Sequence, residues 1–257
     1  MVSQLIELDQ NNLLKFRQLL VVGDLHGDIH SLYSILKIFD PSRDCIIFLG
    51  DYADRGTSGV KVIDTIDKLF MRHPKRIFLL RGNHEYYNDA GEPGFFPCDL
   101  ISEVEDTKDT WQNYYKNHLK PFLQKLKLSM IIPENLLFVH GGISSRIGAL
   151  DDLRFPSESV IEDVLWSDPF QGFGERPNLK RGGEGVEFGS DVTSKICELL
   201  GVKRIIRSHE PLKAQHGPSF THDRKLITVN STRVYGGSPF VLSFNPSRLS
   251  KPNAIKL

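Results

Sequence analysis

Cysteine is scarce in this sequence: Cys45, Cys98 and Cys197 are all it holds. They are odd in number, far apart and without CxxC spacing, which argues against a disulfide framework and a thiolate metal site and fits a reducing compartment. Long apolar runs are missing too. The first twenty residues interleave Glu7, Asp9, Lys15 and Arg17 with their apolar positions, so they form no signal-peptide core, and no later run could span a bilayer. Neither sign of charge is in excess, since Lys+Arg and Asp+Glu both count 32; no global positive field recruits nucleic acid. Internal repeats, low-complexity tracts and Pro/Gly/Ser-rich linkers are absent. These absences predict a cytoplasmic, soluble protein with neither nucleic-acid nor membrane partners. They also predict one domain over residues 1–257, with its core at about 18–245 and a fraying, flexible C-terminal tail.

What is present is a repeated grammar of strand, polar loop and helix. Gln18 to Val22 is an apolar run that stops at Gly23-Asp24, and Asp28 then opens a helix-periodic stretch through Ile29, Leu32, Ile35, Leu36 and Phe39. Cys45 to Leu49 reads as a buried strand, Gly50 to Gly59 as a polar loop, Val60 to Phe70 as a helix, and Ile77 to Leu80 as a third strand. Leu136 to Val139, Ile205-Ile206, Leu226 to Val229 and Phe240 to Phe244 add further strands, with a helix at Asp191 to Leu200. Gly91 to Asp109 reads as an acidic solvated loop, Trp111 to Leu128 as a helix broken at Pro121, and Arg176 to Gly189 as a glycine-rich loop. Such a chain is α/β, and in α/β sheets ligand sites gather beyond the carboxyl ends of strands.

Five clusters of metal-capable side chains stand at those ends: GDLHG with Asp24 and His26, GDYADRG with Asp51, GNHE with Asn83 and His84, HGG with His140, and RSHE with His209. Singly, each is an ordinary turn or helix cap. If the strands share a sheet, all five converge. Oxygen and imidazole donors without thiolate suit manganese, iron or zinc. Two cations need a shared ligand, and a carboxylate such as Asp51 can bridge where an imidazole cannot. No P-loop, GxSxG elbow or reactive-cysteine setting suggests a covalent phosphoenzyme. His30, His73, His118, His216 and His222 match no motif and read as surface residues.

GDLHG, GDYADRG, LLRGNHE, HGG and RSHE, in this order and at these separations, resemble the phosphoprotein phosphatase (PPP) family of serine/threonine phosphatases within the calcineurin-like metallophosphoesterases. The resemblance covers roughly residues 20–244. It implies a calcineurin-like α/β fold, a central β-sandwich flanked by helices with the metal site at strand carboxyl ends. The activity it implies is hydrolysis of phosphoserine and phosphothreonine on phosphoprotein substrates by direct attack of a metal-bridging hydroxide, with two divalent ions, manganese first, as cofactors. By the family pattern Asp24 and His26 hold one ion, Asp51 bridges, and Asn83, His140 and His209 hold the second. His84 resembles the general acid and Asp54 the carboxylate that orients it, while Arg55 and Arg81 would clamp phosphate oxygens. Arg181 resembles a phosphate-binding arginine and Tyr235 an active-site tyrosine, though both segments depart from the family pattern. The arginine loop holds one residue more before Phe188-Gly189, and STRVYGG replaces the common SAPNYCG. Two other readings stand beside this one: a dinucleoside polyphosphate hydrolase of the same superfamily, and a catalytically silent scaffold that binds phosphoproteins.

Overall fold

Residues 2–107 and 109–257 are described by the computed structural model, and period-two alternation along its apolar strands sets the layering. In the strand Leu19–Val22, Leu19 and Val21 join one apolar cluster while Leu20 and Val22 join another. Cys45–Phe48 divides in the same way, with Cys45 and Ile47 on one side and Ile46 and Phe48 on the other. A strand that is apolar on both faces has to be covered on both.

Two sheets supply the inner cover. The first runs in the order Arg248–Lys256, Phe240–Asn245, Leu19–Val22, Cys45–Phe48, Ile77–Leu79, the last three parallel. The second runs Leu5–Glu7, Ser129–Ile132, Leu136–Phe138, Arg204–Arg207, Leu226–Thr228, Ser219–Thr221, with the third, fourth and fifth strands parallel. They pack face to face through Leu19, Val21, Ile47 and Leu242 against Met130, Phe138, Ile206 and Ile227. Helices close the outer faces. Ile29–Ile38, Gly59–Arg72 and the helical run 111–123 cover the first sheet, and Glu158–Trp166 and Ser190–Leu199 cover the second. The central sandwich flanked by helices is therefore present. A parallel bridge between Asp24 and Asn230 joins the strand ends of the two sheets, so their carboxyl-end loops meet.

Several local expectations are corrected. The C-terminal residues do not fray, because Arg248–Lys256 pairs antiparallel with Phe240–Asn245 and buries Leu249; main-chain pairing holds this mostly polar strand. The helix after Trp111 is not broken at Pro121: residues 115–119 take a wider π-helical turn and the run continues to Leu123. Arg176 to Gly189 overlaps the strand Glu175–Pro177 and contains the strand Val186–Phe188, both of a small third sheet completed by Asp168–Pro169. The acidic stretch after Gly91 carries a helix, Asp99–Glu105, whose Glu103 carboxylate accepts the backbone N–H groups of Gly59 (2.7 Å) and Val60 (3.0 Å). That carboxylate caps the Gly59–Arg72 helix, whose own Ser58 makes no capping bond. His222, expected at the surface, is buried between Thr193 and the Phe170 carbonyl.

Candidate active site

The loops that leave the parallel strands are sharply bent. His26, Asp51, Asp54, Arg55 and His209 have φ of 47°, 55°, 66°, 64° and 67°, a left-handed region that non-glycine residues rarely occupy and that persists only where surrounding structure over-determines it. Gly50, at φ 116°, lies so close to the Gly82 backbone that a Cβ would collide with it. That approach sets Asp51 beside Asn83 and His84, and the His84 N–H donates to Asp51 Oδ1 (3.1 Å). Glu85 locks the same turn: its carboxylate accepts the backbone N–H of Asp51 (2.8 Å), Tyr52 (2.9 Å) and Gly82 (2.9 Å).

Three buried histidines are oriented by acceptors that decide their tautomers. His26 Nδ1 donates to the Ala53 carbonyl (3.1 Å) and His140 Nδ1 to the Leu49 carbonyl (3.1 Å). His209 Nδ1 lies 3.2 Å from Asp168 Oδ1. Each ring therefore turns an Nε2 lone pair inward. Those lone pairs face other acceptors: Asp51 lies 3.4 Å from both His26 Nε2 and His140 Nε2, and Asn83 Oδ1 lies 3.0 Å from His140 Nε2. Asp24 Oδ1 accepts the His209 N–H (3.1 Å). Asp24 Oδ2 and His209 Nε2 are buried with no hydrogen-bond partner.

The electrostatics match an acceptor-rich cage. Burial, reinforced by the neighbouring charges of Asp24 and Glu85, pushes the Asp51 carboxyl well above its ordinary range. Burial, with His84 nearby, pulls His26 down to about 4, and burial likewise lowers His140 and His209. Convergent lone pairs that can share only a proton taken up at Asp51, together with orphaned carboxylate and imidazole atoms, fit divalent cations. The groups His26–Asp51–His84 and Asp24–Asp51–His140 each bring their donor atoms within 4.8 Å of one another, and Asp51 belongs to both.

His84 has a second kind of partner. Its Nδ1 lies 2.9 Å from Asp54 Oδ2, and Asp54 Oδ1 accepts the Leu100 N–H (2.8 Å), so the helix Asp99–Glu105 holds the carboxylate that holds the imidazole. Phe95 packs on the His84 ring with centroids 4.5 Å apart. The backbone N–H of Arg55 donates to Asp99 Oδ2 (2.9 Å) and its Nη1 to the Pro97 carbonyl (3.0 Å). The stretch read as a solvated loop thus braces residues of the site from behind.

His26, Asp51, Asn83, His84, His209, Arg55, Arg181 and Tyr235 line one cleft of about 390 Å³, while Asp24 and His140 are fully buried beneath it. Arg181 is steadied by Asp168 Oδ2 (2.9 Å) and the His209 carbonyl (3.1 Å). The Tyr235 ring stands 5.5 Å from that of His26, and burial raises its phenol. Arg81 is the exception among the expected residues. It does not line the cleft and faces a separate cavity, because the turn that aims Asn83 inward aims its neighbour two residues earlier elsewhere.

Sequence reasoning missed three positioning residues. Glu85 sits inside the GNHE motif, so its signal was in view but not its role. Asp99 lies in the misread segment. Asp168 follows the helix Glu158–Trp166 with no motif to mark it, yet it gathers His209, Arg181, Arg207 (2.9 Å) and Asn178 (3.1 Å). Burial works to raise the Asp168 carboxyl and is outweighed by His209, Arg207 and Arg181, which hold it well below the usual carboxylate range.

Comparison with known proteins places this geometry. The family model for calcineurin-like phosphoesterases matches residues 17–213. The PP2A-like serine/threonine-protein phosphatase PPG1 of Candida albicans is 32% identical over 198 residues, covering 74% of this chain and 46% of the relative. Its namesake in Saccharomyces cerevisiae is 31% identical over 233 residues, covering 84% and 61%. The chain therefore spans about half the length of the curated relatives it matches. A solved serine/threonine phosphatase from Saccharomyces cerevisiae, described as similar to human phosphatase PP5, superposes with a TM-score of 0.81 at 26% identity, covering 100% of this chain and 83% of that one.

Proposed function

The chain belongs to the calcineurin-like phosphoesterase family, and from that premise we propose that it hydrolyses phosphoserine and phosphothreonine on proteins. Likeness to serine/threonine phosphatases in sequence and in structure supports that substrate class. The observation that carries the reading is a single cleft in which the acceptor cage, the His84–Asp54 pair and two arginines open toward one another.

The family implies two divalent cations, for which manganese is our first choice, with iron or zinc as alternatives suited to the same donors. Asp24, His26 and Asp51 would hold one, and Asp51, Asn83, His140 and His209 the other; when bound, the pair supplies charge that neutralises phosphoryl oxygens and acidifies water. The remaining work falls to the chain. Arg55 and Arg181 bind the phosphate oxygens, Arg55 pre-oriented through its Nη1 by the Pro97 carbonyl and Asp99, and Arg181 by Asp168, so little side-chain freedom is lost on binding. Tyr235 closes the cleft wall beside His26. His84, its Nδ1 proton held by Asp54, carries a proton on Nε2 toward the departing seryl or threonyl oxygen, an alkoxide too basic to leave unprotonated. Phe95 shields that imidazole on its other side.

The deciding experiment measures turnover of phosphoserine, phosphothreonine and phosphotyrosine peptides and a dinucleoside polyphosphate in parallel across manganese, iron and zinc. Preference for the phosphoserine and phosphothreonine peptides is expected. Faster dinucleotide cleavage would replace the reading by a nucleotide hydrolase, and phosphopeptide binding with zero turnover in metallated protein by a scaffold.

A further inference from the structure

The side chain that leaves the cleft defines a second site. Arg81 faces a cavity of about 270 Å³ whose other walls among the described residues are Val2, Leu128, Phe155, Pro156 and Ile161, with the polar side chain of Gln4. Its Nε is buried without a hydrogen-bond partner. Among the described residues no carboxylate stands within ion-pair distance of it. Glu85, whose charge reaches the guanidinium, has committed its carboxylate to the N–H groups of Asp51, Tyr52 and Gly82. A guanidinium whose Nε is buried without a partner, set beside apolar walls and with no carboxylate paired to it, is a costly arrangement that an anion would relieve.

The lining also says which anion. One planar guanidinium and one amide suffice for a monoanion with a flat fork of oxygens, whereas a phosphate dianion calls for more donors. Apolar walls require an apolar body on the ligand. The mouth is open, since Val2 and Phe155 are 75% and 47% exposed. We propose that this cavity binds a small organic acid, its carboxylate paired with Arg81 and its hydrocarbon body packed on Leu128, Phe155 and Ile161. Only Gly82 separates Arg81 from Asn83, so one backbone turn serves both cavities.

The test uses the full, metal-loaded chain and titrates 4-phenylbutyrate, with the neutral 4-phenylbutyramide as its isostere, by calorimetry and thermal shift. The acid is expected to bind about tenfold or more tightly than the amide, the difference a charge-assisted pair makes, and to raise Tm. Excess inorganic phosphate, which would compete at the metal cleft, is expected not to displace it. Arg81→Met is expected to lose the response while keeping or raising its own Tm, because it removes an unpaired charge. Should Arg81→Met fail to fold, Ile161→Trp, which fills the cavity from its apolar wall, carries the same expectation of lost binding. Equal binding of acid and amide, displacement by phosphate, a response that survives in the folded variant, or no binding by acids from acetate to 4-phenylbutyrate would each overturn the proposal.

Discussion

At the scale of single residues, each imidazole of the cleft is fixed by the group on its far side. His26 and His140 lean on backbone carbonyls, while His209 and His84 lean on the Asp168 and Asp54 carboxylates. Either kind of partner holds the Nδ1 proton and turns Nε2 toward the cleft, and what sets His84 apart is the proposed use of its Nε2 as a proton donor instead of a ligand. His84→Asn is therefore expected to lower kcat by about 10²–10⁴-fold with metal content unchanged by elemental analysis, whereas His26→Asn loses metal as well. Metal loss in His84→Asn equal to that in His26→Asn would make His84 a ligand instead. Asp168 acts one step further back, through His209 and Arg181. Asp168→Asn should weaken metal affinity by about 10–100-fold, the range found when a partner of a ligating histidine is changed, as read by chelator competition.

Among the elements, the short helix Asp99–Glu105 does the most for its length. Its first turn holds Asp54 and Arg55, and Glu103 in its second turn caps the Gly59–Arg72 helix. Glu103→Ala leaves two backbone donors without their acceptor and is expected to cost about 1–2 kcal/mol, seen as a fall in Tm of roughly 2–4 °C per kcal/mol. Because the same helix braces the His84–Asp54 pair, turnover should fall too, and an unchanged kcat would separate the cap from the site. The acidic composition of this segment suggested solvation. Two of its carboxylates, Asp99 and Glu103, are instead spent on N–H groups of other segments, a pairing that no local pattern displays.

For the whole molecule, the cage makes stability depend on pH and on metal together. Burial depresses His26 to about 4 and lowers His140 and His209, so what they contribute is fully present above the unfolded value of about 6.5 and is lost as pH falls toward the folded values. Asp51 and Glu85 shift the other way, Glu85 to about 7 by burial. Their contribution is present below the unfolded carboxylate range of about 4 and is lost as pH rises through the folded values. Metal-free protein is thus squeezed from both sides, and bound cations relieve the high-pH side by neutralising Asp51. Chelation is expected to lower Tm more at about pH 8 than at about pH 6, measured by thermal unfolding with and without chelator. A Tm gap independent of pH would contradict the buried-carboxylate account. No helix among the described residues is long and apolar enough to cross a membrane.

By itself the sequence marked the apolar runs that become the inner strands of the sandwich, and the strand-end motifs carrying Asp24, His26, Asp51, Asn83, His84, His140 and His209. Both signals are local, a short run of apolar residues and a few side chains beside a turn. Only the tertiary structure decided that Arg81 leaves the cleft, that Asp168 joins it from a distant helix end, and that residues 248–256 close the first sheet as a strand. Each of those depends on a partner far along the chain or on main-chain pairing, and neither leaves a mark on the residues that take part.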